Sequence, residues 1–397
     1  MLAACTSSSE PLRYDPKRQL ANTDGDGRFV VERLVKYHRA SSRCAALILC
    51  LVAACNSHTP ESRAVGETKS EPKSLYPLEG AAGKYGYIDS SGNFVIPPQF
   101  AMAYPFQEGL AEVEIGDVGN RKSGFIGLDG RFVINPQFDD AGWFSDGLAS
   151  VTIAGVKGFI DRTGTIVITP QYSQVADFHD GVAPVMLSGK GGLIDKSGHY
   201  VMNPTIADGG GSTVGIGQSS EGLLSIRLGS RSGYINVKGK FVINPQFAEA
   251  SEFSEGFGAV QDDNGKWGYI DRQGKIVIPA TFDYAQAFHE GLAAVQVGKL
   301  YGLIDKTGKV VIAPQFDSLG SWFIGYSEGL LAAEVAKKVG YIDHSGKFAI
   351  TPQFGGTGDV DNFLNDWDFH DGIAAVLIAD KTAYVNRTGK IIAIAGQ

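Results

Sequence analysis

Gly302-Leu303-Ile304-Asp305-Lys306-Thr307-Gly308-Lys309-Val310-Val311-Ile312-Ala313-Pro314-Gln315-Phe316 is the stretch that decides the fold. Two short runs of apolar and β-branched residues, Gly302-Leu303-Ile304 and Lys309-Val310-Val311-Ile312, flank a tight turn and read as two paired strands. In that turn Asp305 can accept backbone N–H bonds, and Gly308 takes positive φ at little steric cost. Upstream, Leu292-Ala293-Ala294-Val295 supplies another strand, so the unit reads as a three-stranded meander. Pro314 cannot donate to a ladder, and Pro-Gln-Phe is therefore expected to end the pairing.

The same pattern recurs along the chain. Its first Gly stands at 86, 124, 158, 192, 233, 268, 302 and 340, with Ala383 in phase in a ninth, partial copy. Most spacings are 34 to 38 residues, widening to 41 after Gly192 and 43 after Gly340. Regular self-similarity of this period marks a repeat architecture. The turn Gly is kept at 92, 130, 164, 198, 239, 274, 308, 346 and 389. The turn acid recurs at Asp89, Asp161, Asp195, Asp271, Asp305 and Asp343, with Asn236 and Asn386 as chemical substitutes and Gly127 as the exception. That is turn chemistry, so a β-branched residue at Gly274 is expected to strain the backbone, whereas Arg272 is expected to be replaceable. Phe100, Phe138, Tyr172, Phe247, Phe282, Phe316 and Phe354 close the third strand. Later in the connection come Phe106, Phe144, Phe178, Phe253, Phe288 and Phe369. Both sets are expected to join neighbouring units, because a lone meander is marginal and must bury its faces against copies of itself.

Lys266-Trp267-Gly268-Tyr269-Ile270-Asp271 resembles in full the signature of the WG β-repeat family, and the resemblance extends over about residues 80–394. At the Trp position the other copies carry Tyr85, Ser123, Lys157, Gly191, Ser232, Tyr301 and Val339, so that Trp is not needed for the fold. The resemblance implies a bacterial repeat protein and no particular activity. Together the readings give an all-β chain of three-stranded meanders, forming a propeller-like ring of about eight units or, alternatively, an open twisted β-solenoid.

Before the repeats lies a different composition. Residues 44–54 form one apolar run, too short to span a bilayer, preceded by Lys36, Arg39 and Arg43 and followed by Cys55. This looks like the leader of a bacterial lipoprotein, with Cys55 as the lipidated residue and a cell-envelope location facing the outer membrane or periplasm. Residues 1–34 then read as an over-extended gene start, 35–54 as the signal peptide, 55–79 as a flexible tether and 80–397 as the repeat domain. The cysteines are Cys5, Cys44, Cys50 and Cys55, so the repeats can hold neither a disulfide nor a thiolate metal site. A formal charge of -8 without a basic stripe argues against nucleic acid as a partner.

Two groups of residues stand out as sites. One acid precedes the Gly that opens strand one in eight units: Glu108, Asp146, Asp180, Glu221, Glu255, Glu290, Glu328 and Asp371. In a ring these carboxylates could gather Ca²⁺, but acceptance of turn N–H groups, or of a neighbour's Lys, is the expected role. His179, His289 and His370 precede three of them in units that are not adjacent, and are expected to be scattered surface residues. The second group is the pair of late insertions, which add Trp322, Phe323, Trp367, Asp366 and Asp368. Insertions in repeat arrays map to one face, which makes these five the expected ligand contacts; the competing reading is that the tryptophans cap the last core. No nucleophile elbow, P-loop, dinucleotide fingerprint or zinc helix occurs, and no cofactor or metal is expected. The expected function is a non-catalytic envelope lipoprotein that presents a surface to a protein or cell-wall polysaccharide. A carbohydrate-active enzyme using acids of the late insertions is the alternative.

Overall fold

The computed structural model describes residues 74–207, 215–320, 325–355 and 367–396. All of them belong to one compact unit, 69–397. Cys55 and the leader lie outside the described residues, as do Trp322, Phe323 and Asp366.

Among the described residues every element is a strand, and the strands form nine successive units, the last two joined in one seven-stranded sheet through Gly355 and Leu377: 76–100, 102–138, 140–172, 174–207, 216–247, 249–282, 284–316, 318–355 and 373–394. Unit six shows the plan. Glu249–Ser254 leads, and Phe257–Gln261, Trp267–Ile270 and Ile276–Phe282 follow as strands one, two and three in antiparallel order. The leading strand is an addition to the expected meander, taken from residues that read as connection. Unit one also starts earlier than expected: Tyr76–Glu79 is its strand one, hidden in the sequence because it lacks the Gly-Leu-Ala-x-Val pattern.

Strand three does not stop at its proline. In unit seven it runs Val310–Phe316, pairing Leu303 with Ile312 and Tyr301 with Phe316 across a register shift. The Pro314 region is a bulge, where no ladder N–H is needed. The bulged backbone crosses directly over the repeat's first Gly, and a Cβ on Gly302 would lie 2.5 Å from the Ile312 carbonyl oxygen. Unit nine has no Pro-Gln segment, and there Ala383 stands at this position, paired with Ile394.

Where the connection is described, one unit hands its chain to the next almost directly. After Phe282 a single residue, Asp283, precedes the leading strand Tyr284–His289, and the Asp283 N–H donates to the Gln296 carbonyl of the new unit at 2.9 Å. Apolar packing falls between units rather than within them. In one cluster Tyr269 and Phe282 of unit six meet Phe288, Ala293 and Val295 of unit seven. Among the described residues nine such clusters occur, one at each junction, and one of them joins Ile373, Ala375 and Tyr384 of unit nine to Leu78 and Ile88 of unit one. Gly396 N–H donates to the Glu79 carbonyl at 2.8 Å, repeating at this junction the bond that Asp283 makes to Gln296. The array is thus a closed propeller-like ring, and the copy that read as partial is its ninth unit.

Aromatic rings are the recurring joint. Pairs such as Tyr87 with Phe106, Phe159 with Phe178 and Tyr341 with Phe369 meet at 4.9, 4.7 and 4.8 Å between centroids, each from strand two of one unit to the leading segment of the next. Tilted and edge-on pairs of this kind add about 0.5–1.5 kcal/mol each beyond area burial. Strand three forms the outer rim, where Val133, Val242 and Ile276 are exposed.

Candidate functional site

The eight recurring acids sit in left-handed backbone, with φ from 48° to 54°, and each is followed by a Gly of positive φ. In unit three, Ser145 and Leu148 exchange both backbone bonds around Asp146-Gly147, at 2.9 and 3.1 Å. This is a two-residue hairpin turn with both central residues at positive φ. Its carboxylate serves the next unit: Gly147 N–H donates to Glu108 at 3.1 Å, Gly181 to Asp146 at 2.7 Å and Gly291 to Glu255 at 3.0 Å. The cation on the next unit's strand-two turn completes the contact, as in Arg272 with Glu221 at 2.9 Å and Lys306 with Glu255 at 3.1 Å. At the junction of units nine and one, the Ser74 hydroxyl takes the place of the Gly N–H and donates to Asp371. These acids are thus inter-unit acceptors, and no group of three or more side chains suited to a metal occurs among the described residues. Arg272, read as replaceable, also donates to the Glu221 carbonyl at 2.7 Å.

The histidines stand where other units have a Ser that reaches forward. Ser254 Oγ donates to the Phe288 carbonyl at 2.6 Å, and Ser327 Oγ to that of Phe369 at 2.7 Å. His289 instead fills space left by Gly325, where a Cβ would come within 3.0 Å of the imidazole. Burial lowers the His289 pKa.

A cavity of about 710 Å³ lies elsewhere. It is lined by Lys157 of unit three, Gln174 of unit four, Gly215, Arg227 and Ser232 of unit five, and Glu249 of unit six. Equivalent register positions recur in this lining: Gln174, Gly215 and Glu249 each face the end of strand one in their own unit. Alternate units can share one cavity only on the concave side of a ring, so leading strands face its centre. Val175, Ala176, Ile216, Ile226 and Ala250 supply the aliphatic part of the lining. Lys157 Nζ is steadied by Asp140 and Thr152, both at 3.1 Å. Gln174 Oε1 is buried without a hydrogen-bond partner.

The late insertions look different in the fold. Trp367 is 6% exposed and packs with Tyr341, Phe354 and Phe369 in the core between units eight and nine. Asp368 is 2% exposed. Both residues are placed in the interior rather than on an open face, because they directly precede Phe369, the aromatic that bridges to Tyr341.

The profile of the WG containing repeat family matches residues 85–118, 124–155, 158–190, 233–267, 267–301, 301–338 and 340–362. The chain belongs to this family. No curated protein matches it in sequence. Among solved structures it resembles a eukaryotic initiation factor, with a TM-score of 0.51 at 12% identity, covering 81% of this chain and 95% of the other. BamB from Moraxella catarrhalis is a weaker likeness, with a TM-score of 0.39 at 12% identity over 73% of this chain and 92% of the other. The first likeness supports the ring fold and nothing further.

Set against the WG signature, the cavity has a simple origin. Trp267 fills its position in unit six, 7% exposed, edge-on to Tyr284 at 5.5 Å. In units four and five the same position holds Gly191 and Ser232, and Gly215 replaces the residue equivalent to Tyr284. Removal of these large side chains opens the wall. The stretch 191–232, which the family profile leaves unmatched, is where this occurs. In the sequence this stretch is marked by the small residues Gly191 and Ser232 at the Trp position and by the 41-residue spacing after Gly192.

Proposed function

We propose that this protein is a non-catalytic binding scaffold of the bacterial cell envelope, anchored through a lipid on Cys55, whose ring holds part of a protein or cell-wall partner in the inner cavity. The observation that carries this reading is the cavity itself: about 710 Å³, lined by aliphatic side chains together with Gln174, Gln218, Lys157, Arg227 and Glu249. That size and make-up fall in the range of ligand sites. The anchor rests on the apolar run 44–54, the flanking Lys36, Arg39 and Arg43, and the cysteine that follows. Trp322, Phe323 and Asp366 stay with the proposal as a second contact region.

The test compares what wild type and Ser232→Trp retain from bacterial envelope extracts. The substitution restores the family's own Trp and fills the cavity. A component held by wild type and released by the variant supports the reading, whereas identical retention by both overturns it. Mass spectrometry of the membrane fraction checks the anchor: diacylated Cys55 is expected, and unmodified Cys55 in the mature protein would overturn that part.

A further inference from the structure

The cavity wall also discriminates between the two partner classes, on the basis that the cavity is the binding site. Among the described residues no aromatic side chain lines it. A pyranose ring presents flat C–H faces that pack best on aromatic planes, and here there is none to receive them. What the wall offers instead is the chemistry of amides. Gln174 and Gln218 bring two carboxamides to it, each able to donate and accept in the pattern of a peptide group. Lys157, Arg227 and Glu249 line it as well, so both charge signs are available to side chains or termini. The apolar part of the lining is made of Val, Ala and Ile, which suit small aliphatic groups.

We infer that the cavity binds a short extended peptide segment with small aliphatic side chains, its backbone amides facing the carboxamides of Gln174 and Gln218 and its carbonyl groups facing Lys157. Ser225 and Ser232 supply hydroxyls that adapt to either hydrogen-bonding sense. Ser232 is 5% exposed. In unit six the corresponding volume is closed by Trp267, so the site belongs to this sector of the ring and is not repeated at every junction.

The probes are a fluorescein-labelled, end-blocked peptide pool built from Ala, Val, Ser, Lys and Glu, and labelled chitin and cellulose oligosaccharides of similar mass. Fluorescence anisotropy is read on the full repeat domain, with thermal unfolding of every variant as a folding control. Saturable peptide binding is expected, with no oligosaccharide binding. Ser232→Trp should abolish it, and Gln174→Leu, which removes the amide at nearly constant volume, should weaken it about tenfold, the loss of one hydrogen bond to a buried group. Peptide binding that both folded variants retain would overturn the assignment. Oligosaccharide binding lost in Ser232→Trp would overturn the peptide class and leave the cavity as the site. If no probe binds while wild type still retains an envelope component that Ser232→Trp releases, the peptide assignment falls and the binding reading stands.

Discussion

Tyr384 Oη donates to the Pro77 carbonyl at 2.8 Å across 307 residues of chain. Elsewhere the strand-two Tyr of one unit reaches the leading strand of the next, as Tyr87 reaches Tyr104 at 2.8 Å and Tyr269 reaches Gln286 at 2.7 Å. Unit one has no leading strand among the described residues. Tyr384 therefore caps the strand-one carbonyl that such a strand would otherwise use. Tyr76 packs against its ring at 5.6 Å and donates to the His370 carbonyl at 3.0 Å.

This junction can be tested by truncation. Tyr384→Phe should cost about 1 kcal/mol, one hydrogen bond, and Tyr384→Ala about 3–5 kcal/mol because a buried ring is lost. Urea unfolding measures both. If Tyr384→Ala unfolds like wild type, contact between units nine and one contributes nothing to stability and the ring closes without it.

Gly274 carries two demands. Its φ is 81°, and a Cβ there would lie 3.1 Å from Ile243 Cγ2 of the preceding unit. Gly274→Ala should already cost about 1–3 kcal/mol, and Gly274→Val more. Arg272→Ala should cost about 0.5–1.5 kcal/mol, more than its turn position alone suggests, because the guanidinium holds both the carboxylate and the carbonyl of Glu221. Chemical denaturation of the three variants should rank Val, Ala and then the Arg substitution; a neutral Gly274→Ala would contradict the turn geometry.

The local unit was legible because its signals are local: alternation, a turn Asp with its Gly, and a Pro. The Asp305 carboxylate accepts N–H bonds from Thr307 and Lys309 as its turn position implied. Closure was not legible, since Tyr384 holds the strand-two aromatic position of its copy but its partner Pro77 lies far away in sequence and outside the repeat consensus. The inner cavity was hidden for the converse reason. It arises from what Gly191, Gly215 and Ser232 lack, and small residues in a glycine-rich chain carry little signal by themselves.

Glu112 gives the ring a pH dependence of definite sign. It stands where other units have Ser150, Ser225 or Ala294, is 3% exposed, and accepts a hydrogen bond from Ser123 Oγ at 2.7 Å. Burial, with Asp140 and Glu114 nearby, pushes its pKa up to about 8. The folded state thus holds a proton that the unfolded chain releases above its ordinary carboxyl pKa. Stability from this group is full below that value and falls as pH rises toward about 8. Glu112→Gln keeps the shape and removes the titration. Urea midpoints from pH 5 to pH 8 should fall more steeply for wild type than for the variant, by the order of a few kcal/mol in all. Parallel profiles would show that the carboxyl is ionised in the folded ring.

Trp367 separates a core residue from a ligand contact. It is 6% exposed among Leu330, Tyr341, Phe354, Phe369 and Val376, the cluster that joins units eight and nine. Truncation to Ala removes a large buried side chain whose surroundings are strands held in register on both sides, so little collapse can fill the space. The cost should be about 3–5 kcal/mol, with Trp367→Phe intermediate. In a nearest-neighbour array such damage falls on one junction. It should therefore lower the thermal midpoint while peptide affinity of the still-folded fraction, read at the cavity of units three to six, stays unchanged. A Trp367→Ala variant that kept wild-type stability would show that the indole is not part of the core. If it also lost affinity for an envelope partner, the binding face would lie at the late insertions.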